Sequence, residues 1–214
     1  MPFGPILLIN IFVGEVILMV NLKAKPFNLS DEDIKWVKDT IADMTIEEKI
    51  GQLFVNMGAS RDEEYLKDML NTYHIGAVRY NPATAEQVYD QNKILQENSK
   101  IPLLIAANTE NGGNGACIDG TYVGSQVKIG ATNDPKYAYE LGRVSGVEAA
   151  AIGCNWSFAP VVDIDMNWRN PVISSRCYSN KAEQVLEFSL EYMRGIMESG
   201  IAPAAKHFPG DGVD

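Results

Sequence analysis

Five polar side chains follow apolar strands in this sequence, and their types and spacing indicate chemistry. They are Asn108, Glu110, Arg176, Lys206 and His207. Because the carboxyl ends of parallel strands meet at one edge of a sheet, we expect these side chains to lie close together. An amide, a carboxylate, a guanidinium, an ammonium and an imidazole suit a hydroxyl-rich ligand, since each sugar hydroxyl both donates and accepts hydrogen bonds. The sequence therefore predicts a carbohydrate-binding site.

Two other features of the same loops carry weaker signals. Asp163 and Asp165 also follow a strand, and we expect them to brace the loop that carries Arg176 rather than to contact a ligand. Gly113-Asn114-Gly115 follows a strand as a dinucleotide-binding motif does. However, Ile118 stands where the third glycine is required, and no helical periodicity follows at once. A nucleotide ligand is therefore disfavoured.

Helices with capping signals alternate with short apolar runs along the chain. Ser30 with Asp33 and Thr84 with Gln87 have the spacing of capping pairs, and apolar runs near residues 53, 77, 103, 156 and 203 predict five strands. The last helix should begin near Asn180. Its predicted buried stripe consists of Val185, Leu186, Leu190, Met193 and Met197.

Strands separated by helices predict an α/β fold with a parallel sheet covered by helices. A doubly wound open sheet and a closed barrel both satisfy this pattern. A closed barrel has eight strand-helix units and about 250 residues, so about five units would form an incomplete TIM-type (β/α)8 barrel. Either architecture binds its ligands at the carboxyl ends of the strands.

Composition excludes several classes of partner. The net charge is −10 and no cluster of Lys and Arg appears, which disfavours nucleic acid. The three cysteines are widely spaced, and no Cys or His pair has metal-ligand spacing. We therefore expect no metal, no cofactor, reduced thiols and a cytoplasmic location.

The first residues of the chain form an apolar segment. Residues 6–20 are mostly apolar, but Glu15 interrupts a run that is shorter than the roughly 20 residues of a membrane helix. No basic residue precedes Lys23, unlike the start of a signal peptide. We expect residues 1–18 to be an upstream or disordered extension, residues 19–214 to form the domain, and the protein to have no membrane partner.

Four segments resemble family-three glycoside hydrolases and occur in that family's order. They are Met44–Phe54, Ala159–Asp165, Asn170–Arg176 and Lys206–Gly212. The last segment, Lys-His-Phe-Pro-Gly-Asp-Gly, is the most specific and resembles the lysine–histidine signature of the β-N-acetylhexosaminidase branch. The resemblance spans about residues 20–214.

The resemblance implies a TIM-type barrel and retaining hydrolysis through a covalent glycosyl-enzyme intermediate. The family's hydroxyl-binding positions are matched by Arg176, Lys206 and His207. The family's usual Asp-x-Glu-Gly-Gly motif is replaced by a segment in which Asn108 stands in place of the aspartate and Glu110 matches the glutamate. The family's acid/base histidine, its aspartate partner and its aspartate nucleophile are expected beyond Asp214. We therefore expect no catalytic residue within the chain, and the chain alone to be inactive.

Three functions agree with these observations. The first is hydrolysis of terminal β-linked N-acetylglucosamine, which the Phe-Pro-Gly-Asp-Gly run favours. The second is a β-glucosidase or β-xylosidase activity of the same family. The third is a sugar-binding protein that does not catalyse a reaction.

Overall fold

The computed structural model describes residues 20–213, so the predicted extension 1–18 lies outside the described residues. The described residues form two compact units, which divide between Lys49 and Ile50. Helix α1 (Asp31–Asp43) lies in the first unit and begins with the predicted capping box, in which the Ser30 hydroxyl accepts from the Asp33 amide. Helix α2 (Ile46–Gly51) follows.

The second unit contains a five-stranded parallel sheet. Its strands are β1 (Val55–Gly58), β2 (Ala77–Tyr80), β3 (Leu104–Ala107), β4 (Trp156–Ser157) and β5 (Ala202–Pro203). They are connected by helices α3 (Glu63–Tyr73), α4 (Ala85–Asn98), α5 (Gln126–Ala131), α6 (Lys136–Ala151) and α7 (Ala182–Met197).

The order of the strands distinguishes the two predicted architectures. All neighbouring strands are parallel, and their order is β1-β2-β3-β4-β5. A doubly wound sheet reverses its direction of winding at a switch point, whereas this sheet proceeds in one direction only. The described chain is therefore an incomplete (β/α)8 barrel, as predicted. No helix within residues 20–213 is both long enough and apolar enough to cross a membrane.

The two faces of the sheet have different surroundings. Val78, Tyr80, Ile105 and Ala107 point toward the helices and belong to the main hydrophobic core. The opposite, inner face carries a row of side chains that are in register across neighbouring strands. This inner row consists of Met57, Arg79, Ala106, Trp156 and Ala202.

Helix α7 buries a different stripe from the one predicted. Its buried residues are Val185, Phe188, Ser189, Tyr192, Gly195 and Ile196. Leu186, Leu190 and Met197 are more than half exposed, so their predicted burial was wrong. Both stripes have helical spacing. Tyr192 decides between them, because its hydroxyl donates to the Thr109 carbonyl at 2.9 Å beneath the sheet edge.

The backbones of helices α6 and α7 lie in contact, because each helix has a glycine that faces the backbone of the other. A Cβ atom at Gly142 would lie 2.1 Å from the Tyr192 carbonyl oxygen, and one at Gly195 would lie 2.2 Å from the Tyr139 carbonyl oxygen. Such distances leave no room for a methyl group.

We expect Gly142→Ala to lower the free energy of unfolding by about 2–3 kcal/mol, because the added methyl group forces the two helices apart. Gly58→Ala is the matched control, since its new Cβ atom would make only ordinary contacts, at 3.6 Å or more. Urea unfolding followed by circular dichroism measures both variants. Equal stability of the two would contradict the close approach.

Candidate functional site

The residues after β3 are fixed by Thr109, which is fully buried. Its hydroxyl lies 2.7 Å from the Ser157 hydroxyl and 2.9 Å from that of Tyr192. Because side chains alternate along an extended segment, anchoring Thr109 toward the core directs both of its neighbours to the other side. Asn108 and Glu110 therefore face the edge where the strands end.

Glu110 is the centre of the site. Its carboxylate accepts from Arg176 Nε and Arg176 Nη2, both at 2.8 Å, and from Lys206 Nζ at 2.5 Å. Only 7% of the Glu110 side chain is exposed. Burial alone would raise the pKa of this carboxyl group, but the hydrogen bonds from Arg176 and Lys206 outweigh burial and hold the pKa below its ordinary value. Glu110 is therefore an anion that both cations share.

Lys206 links Glu110 to Asn108, since its ammonium group also donates to Asn108 Oδ1 at 2.8 Å. An isolated parallel bridge between Val161 and Lys206 pairs the two segments again beyond the ends of β4 and β5. Burial lowers the pKa of Lys206 below its ordinary value; Glu110 opposes this shift, and repulsion from Arg176 and Arg79 adds to it.

His207 is held by Asp163 rather than by a residue of its own strand. His207 Nδ1 lies 2.6 Å from Asp163 Oδ2, and the backbone amides of His207 and Asp211 donate to Asp163 Oδ1 at 3.3 and 2.8 Å. The Asp163 side chain is fully buried. Burial would raise its pKa, but the hydrogen bond from His207 and those from the two amides hold the pKa below its ordinary value.

This pairing assigns the proton of the imidazole. An ionised carboxylate only accepts hydrogen bonds, so His207 Nδ1 carries the proton. His207 Nε2 is then an acceptor in the neutral ring, and it lies 3.3 Å from Arg176 Nη2. The prediction that Asp163 braces the Arg176 loop was wrong, because the Asp163 carboxylate bonds to His207 and to the backbone amide of Asp211.

Asn170 holds the loop that carries Arg176. Its side-chain oxygen accepts from the amides of Val172 and Ile173 at 2.8 and 3.1 Å, and its amide nitrogen donates to the Asp211 carbonyl at 2.7 Å. Asn170 is almost fully buried. The Arg176 loop and the segment after β5 are therefore joined beneath the site as well as within it.

The structure brings all five predicted residues into one hydrogen-bonded network. Asp163 also belongs to this network, in a role other than the predicted one, and Arg79, whose charge acts on Lys206, was missed. A signal for Arg79 was present in the sequence, because it is a charged residue within the otherwise apolar run from Ile75 to Val78 and Tyr80. Asp163 could be placed only with the pairing of Val161 and Lys206 known.

Two other ligands, a metal ion and a nucleotide phosphate, can be compared with the residues that the structure describes in these loops. Residues 20–213 contain no group of three His, Cys, Asp or Glu side chains that could hold a metal ion. The Gly113–Gly115 turn packs on a carboxylate, since a Cβ atom at Gly113 would lie 1.7 Å from Glu148 Oε2. A negative charge at this position would repel a phosphate group.

Residues 45–214 match the glycosyl hydrolase family 3 N-terminal domain. The chain belongs to this family. It is 41% identical over 196 residues to a β-N-acetylglucosaminidase/β-glucosidase of Cellulomonas fimi, an alignment that covers 92% of this chain and 35% of that protein. The chain thus spans about a third of the length of this relative.

Solved structures of similar proteins agree with this assignment. The structure of the β-glucoside phosphorylase BglX bound to 2FGlc has a TM-score of 0.84 and 41% identity, over 90% of this chain and 35% of that one. A family 3 β-N-acetylglucosaminidase from Paenibacillus sp. str. FPU-7 has a TM-score of 0.69 and 32% identity, over 79% of this chain and 34% of that one.

The lowered pKa of Glu110 predicts a pH dependence of stability. A carboxyl group with a lowered folded-state pKa stabilises the fold above its unfolded pKa, and this contribution is lost as the pH falls through the folded pKa. Glu110→Gln should lower the free energy of unfolding by about 3 kcal/mol at pH 7, because it leaves two cations without their shared anion. The difference from wild type should shrink below about pH 4. A constant difference in urea unfolding from pH 7 to pH 3 would contradict this origin.

The Asp163 pairing predicts the tautomer of His207. In Asp163→Asn, the side-chain oxygen should still accept from the backbone amides of His207 and Asp211, so the side-chain NH2 group faces Nδ1 of His207. Because that NH2 group donates a hydrogen bond, Nδ1 must accept it, and the imidazole proton moves to Nε2. Nitrogen-15 NMR of the two ring nitrogens measures this directly, and the chain has only one other histidine, His74. Asp165→Asn is the control and should leave the Nδ1-protonated form unchanged. An unchanged tautomer in Asp163→Asn would refute the assignment.

Proposed function

We propose that the chain is the sugar-binding part of a retaining glycoside hydrolase that removes terminal β-linked N-acetylglucosamine. The observation that carries this proposal is the network of Arg176, Lys206 and His207 around two buried carboxylates at the strand ends. Its support from similarity is the 41% identity to a β-N-acetylglucosaminidase/β-glucosidase. The buried free cysteines at positions 117, 154 and 177 support the further proposal of a reducing, cytoplasmic location.

The geometry suggests a division of roles within the site. Lys206, Arg176 and the amide nitrogen of Asn108 supply hydrogen-bond donors to sugar hydroxyls, and His207 Nε2 supplies an acceptor. Glu110 is almost inaccessible and both its oxygens have partners. In this proposal Glu110 acts by positioning the two cations, and Asp163 acts by orienting the imidazole.

Proton transfer and covalent catalysis are proposed to come from residues outside these 214. The Nδ1 proton of His207 is held by a buried carboxylate at 2.6 Å, which suits an orienting hydrogen bond rather than protonation of a leaving group. Glu110 is paired with two cations and is therefore a weak base and a poor acid at neutral pH.

Two other functions are candidates for this site. A β-glucosidase or β-xylosidase would use the same hydroxyl contacts without a contact to an acetamido group. A sugar-binding protein without catalysis would keep the binding affinity and lack turnover. Comparing N-acetylglucosamine, glucose and xylose as ligands separates the sugars, and turnover separates enzyme from binding protein.

Phosphorolysis is a second candidate reaction. It is favoured by the similarity to the β-glucoside phosphorylase BglX, which has the same 41% identity as the hydrolase relative. In this reaction phosphate replaces water as the acceptor, its oxygen bonds to the anomeric carbon, and the carboxylate of the glycosyl-enzyme leaves. The product is a sugar 1-phosphate instead of the free sugar, so the product formed with 50 mM phosphate, roughly a saturating level for most small ligands, distinguishes the two reactions.

We expect the 214-residue chain to bind sugar but not to release nitrophenol from nitrophenyl N-acetyl-β-glucosaminide. Lys206→Met should weaken sugar binding about tenfold, because it removes a charge-assisted hydrogen bond. Lys136→Met is the control, since Lys136 is exposed at the start of α6 and is not one of the site residues. Calorimetric titration and absorbance measure the two properties.

Turnover by the 214-residue chain, abolished in His207→Ala, would contradict the assignment of catalysis to other residues. Sugar binding that is equal in wild type and Lys206→Met would contradict the site itself. The same nitrophenyl assay on the full translation product of the gene tests the proposed reaction.

A further inference from the structure

Arg79 is a charged side chain on the inner face of the sheet. It lies in the inner row between Met57 of β1 and Ala106 of β3. Both neighbours on β2, Val78 and Tyr80, point the other way into the hydrophobic core. The guanidinium group is therefore placed inside the barrel, below the strand ends where Asn108 and Lys206 lie.

Arg79 forms no ion pair with any of residues 20–213. Its hydrogen bond within this part of the chain is to Met57 Sδ at 3.2 Å. Its charge contributes to lowering the pKa of Lys206, another cation. A partly buried guanidinium beside an ammonium group and apolar side chains lacks the compensation that buried charges normally have.

The acidic groups of the site are committed elsewhere. Both oxygens of Glu110 accept from Arg176, and one of them also accepts from Lys206. Asp163 is occupied by His207 and two backbone amides. Asp211 interacts electrostatically with Arg176 and contributes to raising its pKa. Asn108 is uncharged and directs its oxygen to Lys206. Arg79 and Lys206 are therefore two cations on the same face of the sheet, because Lys206 donates to Asn108, which lies two residues after Ala106, the β3 partner of Arg79.

We propose that Arg79 and Lys206 together bind a phosphate group on the inner face of the barrel. A guanidinium group matches two phosphate oxygens with parallel hydrogen bonds, and an ammonium group adds a point charge. The inference rests on the proposed sugar-binding function and deepens it, because the phosphate group lies next to the hydroxyl-binding residues. The phosphate has two sources, free inorganic phosphate that serves as glycosyl acceptor or a phosphate ester carried by the sugar.

Calorimetric titration of the 214-residue chain at constant ionic strength tests the site with three probes: inorganic phosphate, glucose 6-phosphate and glucose. Arg79→Gln should weaken binding of the phosphate-bearing probe at least tenfold, because a charge-assisted bidentate contact is lost. Arg79→Lys should retain part of the affinity. Arg169→Gln is the matched control, since Arg169 is exposed and stacks on Trp168.

The probes separate the sources of phosphate and the two proposals. If binding of inorganic phosphate depends on Arg79, the source is free phosphate. If only the binding of glucose 6-phosphate depends on Arg79, the source is a phosphate ester. Glucose binding should be equal in wild type and Arg79→Gln. Absence of glucose binding in both proteins would overturn the sugar-binding function, and the titration with inorganic phosphate would still test the phosphate site. Absence of phosphate binding in wild type, or equal binding in Arg79→Gln, overturns the phosphate site. Circular dichroism of each variant establishes that the fold is retained.

Discussion

The site depends on one shared carboxylate. Glu110 accepts hydrogen bonds from Arg176, 66 residues later, and from Lys206, which follows the fifth strand. Its burial makes the pairing obligatory, because removal of either cation leaves charge that water cannot fully solvate. Three distant segments therefore have to reach one point together. The parallel sheet provides that meeting point, since it aligns the carboxyl ends of β3, β4 and β5.

How far the sequence predicted the structure depended on whether a feature was local. Capping boxes at Ser30 and Thr84 were predicted correctly because their partners lie three residues away. The site residues were predicted from their positions after strands. The pairing of Asp163 with His207 was not, because it requires the register of β4 and β5. The buried face of α7 was mistaken, since two apolar stripes satisfy the same periodicity.

The network is suited to recognition more than to bond cleavage. Every titratable group at its centre is already engaged: Glu110 with two cations and Asp163 with an imidazole. Such mutual engagement stabilises fixed charges and fixed hydrogen-bond directions. Hydrolysis and phosphorolysis of a glycoside both require this recognition of the sugar, and they differ in the oxygen nucleophile that reaches the anomeric carbon. The fold is therefore compatible with either chemistry.

The hydroxyl of Tyr192 donates a hydrogen bond to the backbone of Thr109, which lies between Asn108 and Glu110 of the site network. Tyr192 itself belongs to a helix whose position is set by the glycine contacts with α6. The ligand preference of such a protein therefore depends partly on how its interior helices pack. Substitutions that never meet a sugar can retune it, so laboratory evolution toward a new substrate should recover changes in these two helices as well as in the loops around the site.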